Sequence, residues 1–193
     1  MTASFTHDFT ADLERSHAIT GAPFWEDLYR RFFPDLQGIH AHNEDGQGQR
    51  AGIDRTLVLS SGKTLWIDEK VRFQNYPDIA LEEWTDFDRG IPGWIQKRLL
   101  CDHILYTILP AGRAYLLPVL QTQEAWRRHG DEWKATREPI TALNRDRKTG
   151  RTWESISWGI QPEELFPAIG ACLRAHFEPE TTSAGIRSGL ETQ

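Results

Sequence analysis

Asp54, Asp68 and Lys70 are the residues of this chain whose types and spacing suit chemistry. Two carboxylates supply hard oxygen ligands for Mg²⁺, an ion that keeps several waters and takes further ligands from phosphate. A lysine beside them can orient or deprotonate an attacking water, or stabilise negative charge that develops on a phosphate. Each role requires the three side chains to converge, so the segment between them must fold back on itself.

The stretch from Ala51 to Phe73, AGIDRTLVLSSGKTLWIDEKVRF, meets that requirement as two strands joined by a Ser-Gly turn. Thr56 to Leu59 and Leu65 to Val71 are rich in the apolar and β-branched residues of strands. A three-residue loop of Ser60, Ser61 and Gly62, with Gly62 left-handed, pairs Leu59 with Lys63 and sets Asp54 opposite Asp68. Asp54, Thr56 and Val58 then share a face with Trp66, Asp68 and Lys70, while Leu57, Leu59, Leu65 and Ile67 form an apolar face. A two-residue loop on Ser61-Gly62 would set Asp54 opposite Glu69 and mix the faces. One buried face specifies register strongly, so the first register is expected.

An Asp, a hairpin, then Asp or Glu, any residue, and Lys form the signature of the PD-(D/E)XK nuclease superfamily, which this sequence resembles through Asp54 and Asp68-Glu69-Lys70. Ile53 stands where a proline precedes the first Asp in that signature. The predicted elements follow the superfamily's order of helix, three strands, helix and strand. The segment from Asn75 to Trp84, with Pro92 to Ile95 beyond it, is also similar to uncharacterised nuclease-like proteins of phages and mobile elements, over roughly residues 50 to 165.

The resemblance implies an α/β fold: a restriction-endonuclease-like core with a mixed central sheet flanked by helices, and here an extra C-terminal β-hairpin and helix. It implies a metal-dependent nuclease that hydrolyses DNA phosphodiester bonds, with Asp54, Asp68 and Lys70 catalytic. Mg²⁺, with Mn²⁺ as a substitute, would be held by Asp54, Asp68 and the backbone carbonyl of Glu69. Glu26, on an early helix, would add a ligand as in some relatives, or else remain a solvated helix carboxylate. The alternative is a catalytically inactive nuclease-fold binding protein of a phage or mobile element that acts through a protein partner, with Asp68 and Lys70 as an ordinary ion pair.

With 193 residues, 39% hydrophobic and 26% charged, the chain has the length for one sizeable core. The expected division is an N-terminal tail over 1–20, one nuclease-like domain over 21–177, and a flexible tail over 178–193, where Thr, Ser, Gly and Glu dominate. A net charge of -6 argues against indiscriminate coating of nucleic acid, which rests on excess Lys and Arg, but is compatible with an acidic metal site. Pairing with a second copy or with another protein is a further expectation, since the chain offers only one small basic surface. Cys101 and Cys172 stand far apart, which points to buried thiols in a reducing cytoplasm and not to a disulfide framework. No apolar run reaches the length of about 18 residues needed to span a membrane, and the N-terminal residues lack a signal-peptide pattern.

Around the hairpin, a helix from Pro23 to Pro34 presents Phe24, Leu28 and Phe32 to the core. A strand over Leu36 to Ala41 follows, with His40 and His42 on one face but no third ligand for zinc. Asp78 is expected to cap a helix over Ile79 to Trp84, with Asp78 or Glu82 as an accessory ligand in a functional reading. Trp94 to Cys101 reads as a helix carrying Lys97. His103 to Leu109 and Arg113 to Leu117 read as strands, Pro118 to His129 as a helix, Ile140 to Asn144 and Thr152 to Ile160 as a hairpin, and Pro162 to Phe177 as a last helix. Substrate contacts are expected from Arg72 and Gln74, which continue the Lys70 face, from Lys97, and from Arg145, Arg147, Lys148 and Arg151 at the basic hairpin tip. Of the 8 tryptophans, Trp94 and Trp158 could offer stacking faces to unpaired bases, against the commoner role of Trp in a core.

Overall fold

The computed structural model describes residues 6–7, 22, 24–42, 52–146 and 149–177. Its strands are β1 (Thr6–His7), β2 (Leu36–Ala41), β3 (Arg55–Leu59), β4 (Thr64–Arg72), β5 (Ile79–Asp86), β6 (Ile91–Pro92), β7 (His103–Ile108), β8 (Arg113–Pro118), β9 (Ile140–Arg145), β10 (Thr152–Ile160) and β11 (Leu173–His176). The helices are α1 (Phe24–Phe32), α2 (Val119–Ala135) and α3 (Pro162–Ile169). The fold is mixed α/β. A six-stranded mixed sheet runs β11-β8-β7-β4-β3-β2, and a second sheet runs β1-β9-β10-β5-β6. The two expected tails lie outside the described residues, apart from β1, which pairs in parallel with β9. Among the described residues no helix is long and apolar enough to cross a membrane.

The central hairpin closes as its sequence predicts. Gly62 takes φ 80, its amide donates to the Leu59 carbonyl at 2.9 Å, and the Leu59 amide donates to the Lys63 carbonyl at 2.9 Å. Arg55 pairs with Ile67 and Leu57 with Leu65; the regular ladder ends there, since the Asp54 amide also reaches the Ile67 carbonyl, and this irregular end brings the Asp54 carboxyl beside that of Asp68. Leu57, Leu59, Leu65 and Ile67 are all buried, under Trp25, Leu28, Tyr29 and Phe32 of α1.

Beyond the hairpin, β4 runs parallel to β7, and β7 pairs antiparallel with β8. A parallel pair requires a crossover, and two predicted helices give way to other structure there. Residues 79–84 belong to β5: Ile79 and Leu81 are fully buried on one face, and the backbone pairs with β10. Asp78 therefore caps no helix. Its carboxylate rests over Gly159, where a Cβ would lie 2.4 Å from Asp78 Oδ2. In 94–101 the Lys97 amide reaches the Gly93 carbonyl at 2.9 Å, and the helical pattern stops after that turn. The last helix also ends early, because Gly170 takes φ 76 and the chain leaves as β11 to pair with β8.

The six-stranded sheet thus has α1 on one face. On the other, Ile104, Tyr106 and Leu117 pack against Ile79 and Leu81 of the second sheet, Trp126 of α2 and Leu165 of α3. That cover thins toward β3 and the start of β4, where Val58 is 38% and Trp66 43% exposed. Asp54, Asp68 and Lys70 lie where the covered part meets the open part.

Candidate active site

Asp54 is fixed from both sides before β3 begins. Its amide donates to the Ile67 carbonyl at 2.8 Å, and its carbonyl accepts the His42 amide at 2.9 Å. Its Oδ2 accepts the Glu69 amide at 2.7 Å. Across the hairpin, Asp68 is 4% exposed, and Lys70 Nζ donates to its Oδ1 at 2.7 Å. Burial and the Asp68 carboxylate push Asp54 up to about 7, against the Glu69 amide and the Lys70 charge, and a hydrogen bond between the two carboxyls contributes to the rise. Burial works against the Lys70 ammonium, but the carboxylates of Asp68, Asp54 and Glu82 outweigh it and hold the lysine above its ordinary pKa. Lys70 is therefore a cation at neutral pH.

Neighbouring residues of a strand point to opposite faces, so the Glu69 side chain turns toward α1. Its Oε1 accepts Tyr29 Oη at 2.7 Å and Arg55 Nε at 3.0 Å, which ties the helix to both hairpin strands. Burial raises Glu69, and Arg55 opposes that rise. The amide and carbonyl of one strand residue point to the same edge. Since the Glu69 amide is on Asp54, its carbonyl also faces the Asp54 edge. Two opposed carboxylates, one driven toward its neutral form, and a carbonyl at the same edge fit a hard divalent ion. Among the described residues no group of three or more His, Cys, Asp or Glu side chains is arranged to hold a metal ion, so such an ion would keep much of its shell as water.

Three further residues adjoin the site, of which the sequence offers Glu82 as an accessory ligand. Glu82 of β5 is close enough for its carboxylate to raise Lys70, and its Oε2 accepts Thr85 Oγ1 at 2.9 Å. Cys101 is buried, and its thiol is pushed up to about 12 by burial and by Asp68, which makes it inert lining. His42 sits across from Asp54 with Nε2 2.8 Å from Thr56 Oγ1.

Other expected contacts are placed elsewhere. Glu26 pairs with Arg30 at 2.6 Å on the exposed side of α1, and α1 packs on the sheet face away from the carboxylate pair, so it brings no third ligand. Arg72 donates to Tyr106 Oη at 2.9 Å, lies 4.2 Å from the Tyr76 ring centroid and 3.9 Å from Asp78. Gln74 is exposed and accepts Tyr76 Oη. Lys97 is exposed on a turn whose carbonyl accepts Gln123 Nε2 of α2 at 2.9 Å. Arg145 is exposed at the end of β9, and Arg147 and Lys148 lie outside the described residues. Arg151 pairs with Asp86 and lies 5.2 Å from the Trp153 ring centroid. Asp86 is four strand residues from Glu82, about 13 Å along β5, so the hairpin tip stands apart from the carboxylates. Trp94 is 4% exposed and so presents no open face, and Trp158, half-buried, has its Nε1 engaged with Glu83 Oε2 at 2.8 Å.

Comparison with protein-family models, with curated proteins and with solved structures finds no match for this chain.

Proposed function

We propose that this protein is a metal-dependent nuclease that hydrolyses DNA phosphodiester bonds on a restriction-endonuclease-like core. The observation that carries the reading is the approach of the Asp54 and Asp68 carboxyls at the end of the β3–β4 hairpin, with Lys70 Nζ 2.7 Å from Asp68 Oδ1. Topology supports it: α1 precedes a meander of β2, β3 and β4, and β7 then joins parallel to β4. The crossover built from β5 and β6, in place of a helix, departs from the superfamily's order.

Asp54, Asp68 and the Glu69 carbonyl would hold Mg²⁺ or Mn²⁺, which when bound polarises a phosphoryl oxygen and lowers the pKa of water. Lys70, an ammonium beside the pair, stabilises charge that develops on the phosphate oxygens and donates a hydrogen bond there. The Tyr29, Glu69 and Arg55 contacts hold β4 against α1, which fixes the strand that carries Asp68 and Lys70.

Cleavage of single-stranded, duplex and branched DNA with Mg²⁺ or Mn²⁺ tests the reading. Lys70→Ala is expected to lose activity on the order of 10²- to 10³-fold, and Asp68→Ala at least as much. Unchanged activity in both variants removes the assignment.

A second reading, an inactive nuclease-fold protein that acts through a protein partner, is favoured by one observation. Lys70 and Asp68 already satisfy each other as an ion pair, and no third ligand joins them among the described residues. Calorimetric titration with Mn²⁺ separates the two. A metal site gives binding heat that Asp54→Ala abolishes, and an ion-paired relic gives none.

A further inference from the structure

The sheet face that carries the carboxylate pair continues into open surface. Residues directly opposite on antiparallel strands share a face, and the registers of β2, β3 and β4 lay them out in rows. His42, Asp54 and Asp68 gather at the end of the hairpin, where the ladder stops; His40, Thr56 and Trp66 form the second row, and Gly38, Val58 and Thr64 the third. Trp66 lies two residues from Asp68, about 6.7 Å along the strand.

A singly exposed apolar residue is ordinary, but Trp66 sits in a particular setting. The hairpin has a buried apolar face holding Leu57, Leu59, Leu65 and Ile67, and the indole is on the other face, 43% exposed beside Val58 at 38%. Its backbone is held on both sides by Asp102: Trp66 N donates to Asp102 Oδ2 at 2.7 Å, and the Asp102 amide donates to the Trp66 carbonyl at 2.8 Å. A Cβ built at Gly38 would meet nothing within 4 Å, so the row beyond is flat and open. The His40 and His42 rings meet edge to face at 4.8 Å between centroids. The second and third rows contain imidazole, hydroxyl, indole and methyl groups but no carboxylate, unlike the rest of this acidic chain.

A flat aromatic platform next to hydrogen-bonding imidazoles and hydroxyls recognises a nucleotide whose base is free to stack. Bases inside a duplex already stack on one another and do not present that face. We propose that this surface seats single-stranded DNA, with one base stacked on Trp66 and an adjacent phosphate at Asp54, Asp68 and Lys70. The inference rests on the nuclease reading and narrows it to an unpaired substrate.

The test is binding of a fluorescently labelled oligothymidylate by anisotropy, in chelator so that no cleavage occurs. Wild type is compared with Trp66→Ala and Trp66→Phe on that strand, on a blunt duplex of equal length, and on an equal-length strand of abasic sites. Loss of one stacked base predicts single-strand affinity weaker by about 5- to 150-fold in Trp66→Ala, largely restored in Trp66→Phe, with no Trp66 dependence on the duplex or abasic strand. Equal affinity of wild type and Trp66→Ala, the same loss on all three probes, or no binding of oligothymidylate by wild type overturns the proposal. The two readings fail separately. Trp66-dependent binding without metal-dependent cleavage sinks only the nuclease, and cleavage of duplex DNA that ignores Trp66 sinks only the platform.

Discussion

Asp54 is held in a place where an ionised carboxylate is poorly supported without a cation. Burial and Asp68 raise it from 3.8 to about 7. Because the folded value lies above the unfolded one, the folded chain binds the extra proton. Asp54 therefore favours the fold fully below about pH 4, and that contribution is lost as pH rises through about 7. In chelator the denaturant midpoint of wild type is expected to fall between about pH 5 and 8, and Asp54→Asn is expected to remove that component. Its size is at most about 4 kcal/mol, reduced by the water that reaches a half-buried group. Glu69, also raised, is common to both proteins, so the difference between their profiles isolates Asp54. Parallel profiles would show that burial and Asp68 do not raise Asp54. The acids and Lys70 were legible in sequence because the hairpin register follows from one buried face. The separation of Glu26 from them was not, since nothing in the residues of α1 states which face of the sheet it covers.

Strands that pair across a short turn are legible in the sequence, whereas the helices expected over 79–84 and 94–101 are absent from the fold. The meander from β2 to β4 and the hairpin of β7 with β8 follow from alternation and a turn glycine. In 79–86, the apolar alternation of Ile79 and Leu81 is mixed with acids after Asp78, which imitates a helix start, and only the remote strand β10 decides for β5. The stop at Gly170 was available from its residue type, since a left-handed glycine commonly ends a helix. The turn that follows β6 depends on Gly93, where a Cβ would lie 2.2 Å from the Glu82 carbonyl oxygen and 2.7 Å from Glu82 Cγ. The nearest obstacle is backbone, so Gly93→Ala must shift the turn. The expected cost is about 1–3 kcal/mol, or a fall in Tm of about 2–4 °C for each kcal/mol in a domain of this size. Gly38→Ala, into open space, is expected to change stability by less than about 0.5 kcal/mol. Thermal melts in which the two variants coincide would remove the close approach of Gly93 to Glu82.

At the scale of the whole molecule, charge limits how DNA can be held. The net charge is -6, and several arginines are engaged within the fold: Arg55 with Glu69, Arg72 with Tyr106 and Asp78, Arg137 with Glu164, and Arg151 with Asp86. Protein that grips DNA through phosphates releases counterions, and on single strands the logarithm of affinity falls with the logarithm of salt at about -0.7 per phosphate neutralised. If stacking on Trp66 and the charge of Lys70 dominate, about one phosphate is neutralised and the slope is about -0.7. Anisotropy titrations of oligothymidylate across a salt series in chelator measure it directly. A slope steeper than about -4 requires a broad basic surface of at least five or six phosphate contacts. That result would move the main contact away from the β2, β3 and β4 face, toward cations such as Arg145 at the distant hairpin, and would leave the carboxylate pair without the strand it is proposed to cut.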